Sequence, residues 1–255
     1  MLLILSPAKT FKDEGVKRFE LSKQLPFELK TKELIEHLQG YTRSELCALM
    51  KMSEALGAVN EMRFKQFYEV QGEALLGLHA FDGEAYKGLD SLTLSKEGIL
   101  FAQDHLRILS GLYGIIRPND YINPYRLEMG TKLANSEGKD LYAFWKPALT
   151  EYMLEALNQV EGEQVLINLA SKEYSKALDL KQIETQYSVV NIEFKEQKGE
   201  TYKVVGMYAK RARGEMVRYI LENQLKKAEE LKGFNQGGYQ FNPTLSTDQT
   251  WIFTR

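Results

Sequence analysis

Three apolar runs in this chain end at junctions of one chemical kind, and they constrain the fold to a sheet with polar strand ends. Leu2 to Leu5 leads into Ser6-Pro7-Ala8-Lys9, and "QVLINLA", the most strand-like run, leads into Ser171-Lys172-Glu173-Tyr174. A third run, "VGMYA", leads into Lys210, Arg211 and Arg213. The ends of central strands are common ligand sites, and a hydroxyl beside a lysine at a helix start suits an anion. Ser171 can also serve as a helix cap and Lys9 as a solvated lysine. None of the junctions has the G-x-x-x-x-G-K-[ST] pattern, so a nucleotide triphosphatase is not expected.

Helical patterns lie between these strands. "TKELIEHLQG" ends at Gly40, a C-terminal cap, and "TRSELCALMKMSEALG" opens with Thr42 and Glu45 at capping-box spacing. With "AVNEMRFKQFYEV" they predict a helical lobe over residues 28–72. "ALLGLHAF" reads as a strand, and residues 96–110 read as one helix. Pro147 suits the first turn of a new helix. "YSVVNIEFKEQKGETYKVVGMYAK" reads as a hairpin turning at Lys198-Gly199, followed by the helix "RARGEMVRYILENQL" and two closing strands, "GGYQFN" and "TWIFT". Helices and strands mix without strict β-α-β alternation. The expected fold is mixed α/β (α+β), with residues 1–255 as a single domain around a central mixed sheet.

Composition excludes several classes. Hydrophobic residues make up 44% and charged residues 27%, ordinary values for a globular chain. No apolar run is long enough for a membrane helix, and "MLLILSPAKT" lacks the basic leader of a signal peptide. The lone Cys47 cannot form an internal disulfide, which fits a reducing compartment. His37, His79 and His105 stand far apart without ligand spacing, so neither a metal site nor a cofactor is expected. Net charge is −2, yet Lys203, Lys210, Arg211, Arg213 and Arg218 gather in one stretch. A neutral average can thus hide a basic cleft.

"HLRILSGLYGIIRPND" sets Gly111 and Gly114 three residues apart, with His105, Arg107 and Arg117 around them. Two readings stand. Either the glycines build a tight turn whose backbone N–H groups face a phosphate, or they let helices pack around Leu109 and Tyr113. "FDGEAYKGL" and "PYRLEMG" supply Asp82, Arg126 and Glu128. Alternation puts Arg126 and Glu128 on one face, as a structural ion pair or as a phosphate-binding arginine beside a general acid or base. Glu173 is the third candidate carboxylate.

"LILSPAKT", "AFDGEAYKGL", "HLRILSGLYGIIRPND", "PYRLEMG", "INLASKEY", "YAKRARG" and "GFNQGGYQF" follow one another in an order that resembles the YaaA family, bacterial proteins named for peroxide-stress resistance. The resemblance implies a cytoplasmic DNA-binding protein that protects DNA under hydrogen peroxide and is linked to lower free iron. It also implies a basic cleft and a helix-hairpin-helix-like element, which falls on residues 105–120. Lys9, Arg107, Arg126, Lys172, Lys210 and Arg213 are the expected cleft cations, with His105, Gly111, Gly114 and Arg117 in the hairpin. Sequence-tolerant DNA is the expected partner. The alternative is an enzyme acting on a nucleotide, or on a nucleobase in DNA, through Asp82, Glu128 and Glu173. A pure binder does not need carboxylates among its phosphate contacts.

Overall fold

The fold is a central sheet of eight strands carrying helices, described in a computed structural model over residues 1–12, 25–69 and 74–255. Strands β1 (Leu2–Leu5) and β2 (Thr10–Phe11) precede helices α1 (Glu28–Gln39), α2 (Arg43–Met50) and α3 (Glu54–Lys65). Next come β3 (Leu75–Leu76), α4 (Gly77–Ala80), β4 (Phe81–Asp82), α5 (Glu84–Leu89) and α6 (Lys96–His105). β5 (Leu106–Ser110), β6 (Gly114–Ile116) and β7 (Tyr121–Ile122) lead to α7 (Leu141–Gln159), β8 (Val165–Asn168), α8 (Lys172–Ser175) and α9 (Leu180–Glu184). The chain closes through β9 (Ser188–Lys198), β10 (Thr201–Lys203), α10 (Gly206–Glu222), β11 (Gln240–Phe241) and β12 (Thr250–Thr254).

The sheet runs β11-β12-β9-β8-β1-β5-β6, with β10 paired to β9. The five inner strands are mutually parallel, and β6 and β11 are antiparallel edges. Counted along the chain, the parallel strands take the doubly wound order 2-1-3-4-5. Their direction of travel reverses between β1 and β8. Every residue of β1 and β8 is buried, as expected for parallel strands covered on both faces. One cluster of buried side chains runs from Met1 to Phe253.

The first helices follow their local signals. Thr42 and Glu45 form the capping box of α2, and Leu34, Ile35, Leu38, Leu46 and Phe64 bury the inner face of the lobe. Residues 70–72, the end of the expected lobe, lie outside the described residues. The β9–β10 hairpin turns at Gly199 (φ +63°), and the closing strands form β11 and β12.

Four local expectations are corrected. The helix from Lys96 stops at His105, and Leu106–Ser110 becomes β5, because pairing with β1 and β6 satisfies its backbone on both sides. The glycine joint therefore links two strands, so residues 105–120 do not form a helix-hairpin-helix. Of the strand expected over "ALLGLHAF", residues 74–81, only Leu75–Leu76 and Phe81 are extended, with α4 between them. Pro147 is the seventh residue of the continuous α7, which the buried Phe144, Trp145, Leu149 and Met153 hold against the core despite the missing N–H. "GMYA" begins α10 rather than ending a strand, so Lys210 and Arg213 lie on a helix face.

α10 and α5 meet backbone to backbone at two glycines. A Cβ at Gly214 would fall 1.7 Å from the Ala85 carbonyl oxygen, and one at Gly88 would fall 2.2 Å from the Arg211 carbonyl oxygen. Arg218 ties the next turn down, donating to the carbonyl oxygens of Leu89 and Asp90 at 3.1 and 2.9 Å. Glu222 accepts from the Ser95 N–H at 3.1 Å. We expect Gly214→Ala to destabilise the chain by about 1–3 kcal/mol, because the helices must separate. Gly206→Ala should be neutral or stabilising, since no atom lies within 4 Å of its added Cβ. Urea unfolding of both variants checks this, and equal effects would contradict the close helix contact.

Candidate functional site

The parallel pairing of β1 and β8 continues past both strands. The Leu169 N–H donates to the Ile4 carbonyl at 3.0 Å, so the two following loops leave side by side. They are then joined directly. Ser6 Oγ accepts from the Ser171 N–H at 2.8 Å and lies 3.3 Å from Ser171 Oγ. Ser171 occupies the N-cap position of α8 without a side-chain cap bond, so its hydroxyl belongs to this loop contact rather than to the cap. Tyr86 of α5 donates its O–H to the Ser6 carbonyl at 3.0 Å. A Cβ at Gly83 would lie 2.7 Å from the Ala8 methyl, so glycine admits the close approach of the β4–α5 turn to the first loop.

These elements enclose a cavity of about 590 Å³ at the strand ends, where the sheet reverses direction. Open α/β sheets place their ligands at such switch points. Lys9 reaches the cavity from the first loop, Lys172 and Glu173 from the second, and Asp82 from β4. Lys210 and Arg213 descend from α10, and Glu128 enters from the segment that follows β7. Pro7, Ala8, Tyr86 and Tyr174 give it an apolar side.

The charges are unevenly paired. Glu128 is held at both oxygens, by Lys9 Nζ at 2.9 Å and by an Arg126 guanidinium nitrogen at 3.0 Å. Arg126 thus meets the site through Glu128, on the shared face that alternation predicted, and its buried Nε has no hydrogen-bond partner. One Glu173 oxygen accepts from the Gly130 N–H at 3.0 Å, which fixes the loop just beyond Glu128. Glu173 therefore has a positioning contact. Among the described residues, Lys172, Lys210 and Arg213 form no ion pair with a carboxylate. Burial lowers the Arg213 guanidinium from its ordinary value, against the pull of Glu193. Burial raises the phenols of Tyr86 and Tyr174 well above theirs, so both stay neutral hydrogen-bonding walls.

The 105–120 residues lie elsewhere and are otherwise engaged. Buried His105 pairs its Nδ1 with the Met1 carbonyl at 2.7 Å and stacks on Phe101. Burial lowers its pKa, so the ring is neutral at pH 7 and offers no cation to a phosphate. Arg107 donates to Tyr152 Oη and to the carbonyls of Gln103 and Leu106. Arg117 is bidentate on buried Asp120. Gly111 and Gly114 are buried and serve packing. Gly114 (φ +69°) lies against the Trp145 ring, whose Nε1–H donates to the Gly111 carbonyl at 2.9 Å. A Cβ at Gly111 would lie 2.3 Å from the Leu127 carbonyl oxygen, so this glycine lets the Glu128 segment cross the hairpin.

From the sequence, Ser6, Tyr86 and Tyr174 stand in the polar motifs without an assigned role, and Gly83 is not singled out. Their signal was present in the motifs "LSPAK", "FDGEAY" and "SKEY", but only the fold brings those motifs together. Among the described residues, no group of three or more His, Cys, Asp and Glu side chains is placed to hold a metal ion. No helix there is long and apolar enough to cross a membrane.

A family profile described as peroxide stress protein YaaA matches residues 1–245. A UPF0246 protein of Magnetococcus marinus is 46% identical over 260 residues, covering 100% of this chain and 99% of that protein. A UPF0246 protein of Acaryochloris marina is 43% identical over 259 residues, covering both chains fully.

His79, which pairs with Ser91 Oγ at 2.8 Å, is lowered by burial as His105 is. Both contribute stability that is intact above the unfolded-state histidine value of about 6.5 and is lost as the pH falls below it, because the unfolded chain binds the protons more readily. Melting temperatures measured at pH 7.5 and 5.5 should fall with pH, and less steeply in His105→Gln. An unchanged slope in that variant would remove His105 from the account.

Proposed function

The chain belongs to the peroxide stress protein YaaA family, and from that premise we propose that its switch-point cavity binds a nucleotide, free or extruded from DNA, and acts on it during peroxide stress. The observation that carries this reading is the convergence of Lys9, Lys172, Lys210 and Arg213 with Asp82, Glu128 and Glu173 around one cavity of about 590 Å³. That volume falls within the range of roughly 300–1,000 Å³ typical of small-ligand pockets and suits one nucleotide rather than a duplex.

The carboxylates favour chemistry over simple binding. A protein that only neutralises phosphates needs cations and backbone donors, and carboxylates among them repel the ligand. Here Glu128 is oriented by two cations and Glu173 by a backbone N–H. Glu128 is assigned the general acid–base role, with Asp82 as the second ionisable group on the cavity wall. Glu173 positions the Glu128 loop. Lys172, Lys210 and Arg213 neutralise the ligand's phosphate, and Lys9 holds Glu128.

DNA enters this reading as the source of the nucleotide. Extruding a base brings it into a pocket that the duplex itself cannot enter. The exposed rim, with the Lys9 side chain 61% accessible and Lys172 and Lys210 on the surface, favours a second reading, sequence-tolerant binding to the backbone alone. Lower free iron is indirect in either case, reached through the product of the site or the protected DNA.

Glu128→Gln separates the two readings. It keeps the shape of the side chain and removes proton transfer, a loss of about 10²–10⁴-fold for a general acid or base. The proposed reading expects peroxide resistance in cells to be lost while DNA affinity, measured by fluorescence anisotropy, holds or rises. Full resistance in a folded Glu128→Gln variant would remove catalysis by this carboxylate and leave the backbone-binding reading.

A further inference from the structure

We infer that the Arg213 end of the cavity takes a terminal phosphate monoester, carried either by a free nucleoside monophosphate or by a 5′-phosphorylated DNA end. This rests on the cavity being the working site and adds which ligand group is read, and by which residues.

The cations divide into two sets. Lys9 and Arg126 are already engaged by Glu128. Lys172, Lys210 and Arg213 form no ion pair with a carboxylate among the described residues, and Glu193 acts on Arg213 only as a nearby charge. Lys210 and Arg213 are three residues apart on α10, so they share one helix face, and both line the cavity. Arg213 Nε is buried and has no hydrogen-bond partner. A buried charged donor left unsatisfied is costly, and an acceptor oxygen supplied by a ligand removes that cost. Ser171, beside Lys172, adds a hydroxyl held at the strand end by its contact with Ser6.

Charge and donor count select the ligand group. A phosphodiester in a DNA strand brings one negative charge and two free oxygens. A monoester carries about −1.5 to −2 at pH 7 and three strong acceptor oxygens, which matches three uncommitted cations better. Pro7, Ala8, Tyr86 and Tyr174 give the rest of the cavity an apolar wall for the body of the ligand. The Glu128 carboxylate, engaged by Lys9 and Arg126, is assigned to a different part of the ligand.

Isothermal titration calorimetry on the full chain tests this with AMP, adenosine, a 5′-phosphorylated oligonucleotide and the same oligonucleotide with a 5′-hydroxyl. AMP should bind at least about tenfold more tightly than adenosine, the discrimination expected of charge-assisted hydrogen bonds. Tight binding of the phosphorylated oligonucleotide over its hydroxyl form adds DNA ends as a source, and binding of AMP alone assigns the free nucleotide. Arg213→Ala should weaken AMP binding at least about tenfold. Arg211→Ala should leave it unchanged, because Arg211 faces Glu215 at 3.3 Å and does not line the cavity. Should Arg213→Ala fail to fold, Arg213→Lys and Lys172→Ala carry the test and should each weaken AMP binding. Equal affinity for AMP and adenosine, no binding of any monoester, or full AMP affinity in a folded Lys172→Ala variant overturns the inference. Glu128→Gln should still bind AMP. Lost peroxide resistance in that variant without any monoester binding would sink this inference and keep the proposed reaction. Monoester binding with full resistance would do the reverse.

Discussion

The parallel pairing of β1 with β8 is the constraint on which the site depends. Leu2, Leu3 and Ile4 stand in register with Leu166, Ile167 and Asn168, and the pairing extends through Leu169 to the Ile4 carbonyl. Both strands are buried throughout, so the register is fixed by the core and cannot slip without exposing apolar side chains. Two loops far apart in the sequence must then emerge together, and the Ser6–Ser171 contacts join them across 165 residues. Because the strand order reverses here, neither loop is covered by a crossover helix, and the gap between them remains as a cavity.

A second contact decides what reaches that gap. Gly88 and Gly214 let α5 and α10 approach at backbone distance, closer than side chains allow. Glycine inside a helix costs about 0.5–1 kcal/mol relative to alanine. Here that cost is offset by a contact that sets the height of Lys210 and Arg213 above the strand ends. Carboxylates arrive by separate routes, Asp82 on the edge of β4 and Glu128 on the segment that crosses Gly111. The result is a site that holds both a clamped carboxylate and cations without an ion-pair partner. The Lys9–Glu128 pair is largely exposed on the lysine side, so it contributes only about 0–1 kcal/mol, and a ligand can displace it at little cost.

The sequence made part of this legible. Apolar runs marked β1 and β8, and the polar residues just after them lie in the cavity, because continuous apolar strands and their ends are local signals. Thr42 and Glu45 revealed a helix start for the same reason. Residues 105–120 were read less well. Leu106 to Ser110 continues a helical pattern and becomes strand only because β1 and β6 are there to pair with it, a tertiary effect that no local window contains. Gly111 and Gly114 advertised a tight joint, but their spacing did not say that Trp145 and the Leu127 carbonyl would occupy the space they leave. The charges of His105, Arg107 and Arg117 suggested phosphate contacts, and burial with internal partners is what overrules that reading. The doubly wound order was not visible either, since its crossovers differ in length and carry inserted strands and helices.

The central claim is that the gap between β1 and β8 is where the chain meets its ligand, phosphate toward α10. A crystal structure of the chain grown with a nucleoside monophosphate addresses it most directly. The account predicts density for the phosphate within hydrogen-bonding distance of Arg213, with Lys172 and Lys210 turned toward it and Glu128 on the far side of the ligand. A ligand bound outside this cavity, with Arg213 Nε still unpartnered, would contradict it.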